Sequence, residues 1–165
     1  MEERRTHKLC HIELDEKTII RRNADIEKER RVAIFDLLEN NRFAPKFEFE
    51  DNYPGPFRAT LRIEDNRLAI DLKTTDQIPL SSIILPLSPF RKIIKEYFIV
   101  CDSYFSAVKS ASPRKIEAID MGRRALHNEG SKILQTRLNN KVDIDLETAR
   151  RLFTLICVLQ IRQSF

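Results

Sequence analysis

Asp120, Arg123, Arg124, His127, Asn128, Glu129 and Ser131 crowd into one short stretch of the chain. On a helix turning about 100° per residue, Ile116, Ile119, Leu126, Ile133 and Leu134 form an apolar stripe, with Arg123 and His127 inside it or at its edge. Two ionisable side chains therefore face the core side of an otherwise amphipathic helix. Asp120 lies three and four residues before the two arginines, so it can pair with either and also orient His127. Guanidinium forks hold carboxylates and phosphates, and an imidazole moves a proton near neutral pH. This chemistry suits an anionic ligand held by Asp120, Arg123, Arg124, His127, Asn128 and Ser131. Used catalytically, His127 would be the general acid or base, with Glu129 as a second candidate. The alternative is a polar network that fixes helix packing, since buried polar groups must be paired whether or not a ligand is bound.

The other reactive residues point to less. His7 and His11 share one face of a strand while Cys10 points away, so no metal site is expected. Glu48, Glu50 and Asp51 read as strand and turn positions, and Asp143 and Asp145 as helix-entry residues. Ser131 follows Glu129-Gly130, not a nucleophile elbow. Glycine occurs only at Gly55, Gly122 and Gly130, which leaves no phosphate loop or dinucleotide fingerprint and calls for no cofactor. Cys10, Cys101 and Cys157 fit neither a disulfide framework nor a zinc pattern, and the latter two belong to apolar helical runs, where cysteine acts as a small hydrophobe.

The elements that must position these residues follow from periodicity. A strand is expected around Lys8–Leu14, then a helix from Ala24 to Asn40 opened by Asn23 and Asp25. Its second half, Val32 to Leu38, is apolar on most sides and should be well buried. Tyr53-Pro54-Gly55-Pro56 forces a loop. Phe57 to Glu64 and Arg67 to Lys73 alternate strictly and are joined by Asp65-Asn66, residue types that accept positive φ, so they form a hairpin with one wet face. Lys46–Glu50 and Ser82–Leu87 are further strand candidates, with Pro86 marking an edge or an end of pairing.

Beyond Leu87 the period becomes helical. Ser88-Pro89 and Ser112-Pro113 each read as N-cap and N1, the second helix running to Asn139, and Asp145 opens a last helix to about Arg162. Leu152–Leu159 is apolar nearly all round and belongs at the centre. The pattern is α+β: a small antiparallel sheet with one N-terminal helix, followed by a three-helix C-terminal unit. With no linker or repeat, residues 1–165 read as a single domain, strand-rich over 1–87 and helical over 88–165.

The chain has 165 residues, 42% hydrophobic and 33% charged, enough for a sizeable core. Its net charge of +4 equals that of Ser112–Lys141 alone, where seven Lys or Arg meet three Asp or Glu. No aromatic residue interleaves with the basic ones on this helix and no helix-turn-helix spacing appears, so nucleic acid is not the expected partner. No apolar run approaches the roughly 20 residues of a membrane span, and Met1-Glu2-Glu3-Arg4-Arg5 precedes no apolar leader segment, so a cytoplasmic protein is expected.

Several long stretches carry a resemblance. Asp25-Ile26-Glu27 with Arg31–Leu37, Ser88-Pro89-Phe90-Arg91, Ile116–Arg124, His127–Ser131 and Ala149–Cys157 resemble a family of uncharacterised small alpha-proteobacterial proteins, of the UPF type with no known function. The resemblance covers nearly the whole chain. It implies a bacterial cytosolic setting and transfers no catalytic roles. The residues themselves then favour a binding or regulatory domain that recognises an anionic small molecule or an acidic partner surface. The alternative is an enzyme acting on a phosphorylated or carboxylated metabolite, which would need a nucleophile, metal or cofactor signal that the sequence lacks.

Overall fold

The computed structural model describes residues 6–15 and 24–164. The hairpin forms as its alternation requires. β3 (Phe57–Glu64) and β4 (Arg67–Lys73) pair antiparallel through Asp65 and Asn66, both in the left-handed region at φ 51° and 60°. Phe57, Ala59, Leu61, Leu68, Ile70 and Leu72 turn inward. On the wet face Arg62 Nε donates to Asp71 at 2.8 Å, and Ser82 Oγ donates to the same carboxylate. β5 (Pro79–Pro86) adds antiparallel to β4 and ends on Pro86, opposite Arg67.

β1 (Leu9–Leu14) joins the other edge, parallel to β3, giving the order β1-β3-β4-β5. The sheet is thus mixed where an antiparallel one is expected. The reason lies in the connection: a long helix, α1 (Ala24–Glu39), separates β1 from β3, and a parallel pair needs such a crossover. The side chain of Asn41, just past α1, fixes the junction. Its Oδ1 accepts from the Leu9 amide at 2.7 Å, and its Nδ2 donates to the Leu9 and Leu37 carbonyls at 2.9 and 2.8 Å.

Two further expectations change. Lys46–Glu50 is not a strand. The ladder there is the two-residue β2 (Ala44–Pro45), paired with β6 (Val142–Asp143), while Phe47 and Phe49 pack on each other at 4.9 Å and Phe49 on Phe57 at 5.5 Å. Their alternation reflects an aromatic cluster rather than a pleated strand. Ser88-Pro89-Phe90 forms a 3₁₀ turn closed by the Phe90 amide on the Leu87 carbonyl, with no side-chain cap, and the α-helix α2 begins only at Arg91 and runs to Ser110.

The remaining starts are as the caps dictate. Ser112 Oγ accepts from the Lys115 amide at the head of α3 (Pro113–Leu138), and Asp145 Oδ1 from the Thr148 amide at the head of α4 (Leu146–Ser164). The residue proposed to open α1, Asn23, lies outside the described residues. Leu152, Phe153 and Leu155–Leu159 are all buried, so α4 is the central helix, contacting α1, α3 and β3. The second half of α1 departs from expectation. Ala33 and Leu37 are buried, but Val32, Phe35 and Leu38 are 48%, 64% and 37% exposed. Only the stripe facing β1 and α4 is covered.

α3 packs closely on α4 at Gly130. A Cβ on Gly122 would find only Val100, at 3.9 Å, whereas one on Gly130 would stand 2.2 Å from Cζ of Phe153. That ring has no exposed surface and cannot swing away. Gly130→Ala is expected to destabilise the protein by about 2 kcal/mol through overpacking, although alanine is the better helix former. Chemical denaturation of Gly130→Ala, and of Gly130→Ala with Phe153→Leu, checks this: the double variant should recover part of the loss.

Candidate functional site

The four helices enclose an open cleft of about 540 Å³. α1 contributes Asp25, Lys28, Glu29, Val32 and Asp36, which spacings of three and four residues place on one helix face. α2 supplies Tyr97, Tyr104 and Phe105, α3 supplies Arg123, Arg124 and His127, and α4 supplies Arg150, Arg151 and Thr154.

Arg123 ties three of these helices together. Its Nη2 and Nε donate to Asp120 Oδ1 at 2.7 and 3.1 Å, Nη1 lies 3.7 Å from Glu29 on α1, and the guanidinium carbon stands 4.2 Å from the ring centre of Tyr104 on α2. The last contact is a cation–π stack that leaves one guanidinium edge for hydrogen bonding. Burial raises the pKa of Glu29, and Arg123 partly offsets that shift. Asp120 also holds the exposed Arg124, at 3.2 Å.

His127 has a different partner from the one its sequence neighbours suggest. Its Nε2 lies 2.8 Å from Thr154 Oγ1, and Thr154 in turn donates to the Arg150 carbonyl at 3.2 Å. With the hydroxyl proton committed there, the threonine oxygen accepts from Nε2–H. Asp120 is turned toward the arginines and does not orient His127. The ring stands 5.5 Å from that of Tyr97 and 5.2 Å from that of Phe153. Burial in these surroundings, aided by the charges of Arg150, Arg151 and Arg123, pushes the His127 pKa down to about 4.

The cleft therefore gathers Arg123, Arg124 and His127, with Asp120 bonded behind them. Three other candidates do not line it. Ser131 is wholly buried and donates to the carbonyl of His127 at 2.7 Å, Glu129 is exposed, and Asn128 is half-buried with no partner for Oδ1 among the described residues. Sequence reading overlooks Arg150, Arg151 and Thr154. The available signal is Thr154 itself, a lone polar residue in the apolar run Leu152–Leu159, one helical turn beyond two adjacent arginines.

Five cationic side chains, Lys28, Arg123, Arg124, Arg150 and Arg151, thus meet three carboxylates, Asp25, Glu29 and Asp36, on the cleft lining. The two α4 arginines are held loosely. Arg150 lies 3.6 Å from Glu147, and Arg151 lies 3.6 Å from Glu147 and 3.8 Å from Asp36. Such half-exposed pairs contribute little and exchange readily for a better acceptor. Among the described residues no three His, Cys, Asp or Glu side chains converge to hold a metal ion, and no helix is long and apolar enough to cross a membrane.

Comparison with known proteins places the chain beside the model of the uncharacterised protein family UPF0262, which matches residues 6–162. A UPF0262 protein of Paramagnetospirillum magneticum is 54% identical over 155 residues, covering 94% of this chain and 96% of its own. One of Rhodospirillum rubrum is 54% identical over 157 residues, 95% of this chain and 94% of its own, and one of Sphingopyxis alaskensis is 52% identical over 155 residues, 94% of each. No solved structure matches the chain.

Proposed function

The chain belongs to the uncharacterised protein family UPF0262, and from that premise we propose that it is a non-catalytic cytoplasmic domain that binds a small phosphorylated or carboxylated molecule in the four-helix cleft. The observation that carries this reading is the convergence of Arg123, Arg124, Arg150, Arg151 and Lys28 on one concave site with aromatic walls. Guanidinium forks on two helices supply bidentate recognition of an anion, and Tyr104 and Phe105 offer apolar surface for the rest of the ligand. A concave site suits a small molecule better than the flat surface of an acidic protein partner.

Binding is favoured over catalysis by the state of His127. A group with a pKa near 4 is neutral at pH 7, so it is no general acid there, and its basicity is far below what proton abstraction near neutrality needs. Its Nε2 is moreover committed to Thr154. Glu129, the other candidate, is exposed and absent from the cleft lining. His127 instead supports the site, its ring packed against Phe153 and its hydrogen bond linking α3 to α4.

Thermal shift and calorimetric titration with inorganic phosphate, citrate and a nucleoside monophosphate test the proposal. A bound anion at 100 times its Kd should stabilise the fold by about 2.7 kcal/mol. Arg124→Gln and Arg151→Gln, at exposed or half-exposed positions, should keep the unfolding free energy within about 0.5 kcal/mol of wild type and weaken binding about tenfold or more. A wild-type protein that responds to none of these anions, or variants that respond as fully as wild type, would overturn the reading.

A further inference from the structure

The walls of the four-helix cleft carry opposite charge. α1 brings three carboxylates, Asp25, Glu29 and Asp36, against one lysine, whereas α3 and α4 bring four arginines to the lining and no carboxylate. A bare phosphate or carboxylate seated on the basic wall would face the acidic one, and like charges brought together oppose binding. A ligand complementary to both walls carries both charges.

Glu29 is half-buried yet has no hydrogen-bond donor. Its side chain is 34% exposed, and Nη1 of its ion partner Arg123 stands 3.7 Å away, beyond hydrogen-bond distance. Arg123 is committed elsewhere, with Nε and Nη2 both donating to Asp120. Among the described residues no hydrogen bond reaches the Glu29 carboxylate. Burial raises its pKa, and the opposing effect of Arg123 is the smaller of the two. Such a carboxylate gains from any donor that arrives, and most from a charged one.

We propose that the ligand of the cleft is a small zwitterion, an amine-bearing phosphate or carboxylate whose ammonium group donates to Glu29 while its anionic group lies among the arginines of α3 and α4. This rests on the anion-binding reading of the same cleft and adds a second point of attachment. An ammonium beside Glu29 supplies the missing donors and removes the repulsion that a bare anion meets from α1. A neutral hydroxyl supplies a donor but leaves the charge of that wall unanswered.

Calorimetric titration of the full chain at pH 7 with matched pairs is the test. The pairs are O-phosphoethanolamine against ethyl phosphate, 3-aminopropyl phosphate against propyl phosphate, and β-alanine against propionate. In each pair the amine lowers the net negative charge of the ligand, so a cleft that senses only the arginines binds the amine-free member more tightly. An anchor on Glu29 reverses that order, and in at least one pair the amine should bind about tenfold tighter or more. Glu29→Gln should lose this preference while holding ethyl phosphate at least as tightly as wild type does. A wild-type protein that binds both members of every pair alike, or favours the amine-free one, would overturn the zwitterion and leave the anion site standing. So would 2-hydroxyethyl phosphate binding as tightly as O-phosphoethanolamine. A preference that survives Glu29→Gln overturns the assignment of the ammonium to Glu29. Silence toward every one of these compounds and toward inorganic phosphate overturns the anion reading beneath it. Should Glu29→Gln not fold, the wild-type ranking still decides.

Discussion

Phe153→Ala is expected to cost about 4 kcal/mol, the largest loss of any single truncation considered, and Ile156→Ala about 3. Both side chains have no exposed surface, and Phe153 is where the helical half converges. Its ring meets Tyr97 of α2 at 6.1 Å and His127 of α3 at 5.2 Å, and it fills the space opposite Gly130. Truncation removes the transfer free energy of the ring and leaves a cavity that three helices, each held by its other contacts, cannot close. Lys73→Ala, on the wet face of β4, should change stability by less than about 0.5 kcal/mol. Urea midpoints at constant m-value decide the matter. Equal and small effects at all three positions would mean that α4 is peripheral.

Acidification should destabilise the protein through His127 by on the order of 3 kcal/mol. Its pKa is pushed down to about 4 in the folded protein, whereas an unfolded histidine titrates near 6.5. Between these values the unfolded chain binds the extra proton, so stability rises with pH across this window. The contribution is fully present above about pH 6.5, declines as pH falls through the window, and is lost below the folded pKa. Physically, protonation places a cation beside Arg123, Arg150 and Arg151 in a site that cannot hydrate it. Glu13 and Asp71 have lowered pKa values, so their stabilisation too is lost on acidification, and wild type alone does not isolate the histidine. The comparison is with His127→Gln, which keeps a donor toward Thr154 and cannot titrate. Denaturation at pH 7.5 and pH 4.5 should show a steeper loss for wild type than for the variant. Parallel pH profiles would place the imidazole in water, contrary to its packing between Tyr97 and Phe153.

Local signals gave the elements and half of the cleft. The hairpin was legible because alternation and the Asp65-Asn66 turn are short-range, and α3 and α4 because their caps and apolar periods are. Asp120, Arg123, Arg124 and His127 could be grouped for the same reason: on one helix, spacing alone decides which side chains are neighbours. What the sequence left open are contacts between residues far apart in the chain. The pairing of His127 with Thr154 spans 27 positions, and nothing local distinguishes Thr154 from Asp120 as its partner. Arg123 reaches Glu29, and the α4 arginines complete the basic wall, only because α1 packs antiparallel to α4 beside α3. The direction of β1 was likewise set by the helical crossover rather than by its own residues. In α1 the apolar content of Val32, Phe35 and Leu38 was plain, yet hydrophobicity states only that a surface gains from being covered. Whether another element of the same chain reaches that surface is decided by how the layers pack, and here only the stripe of Ala33 and Leu37 is covered.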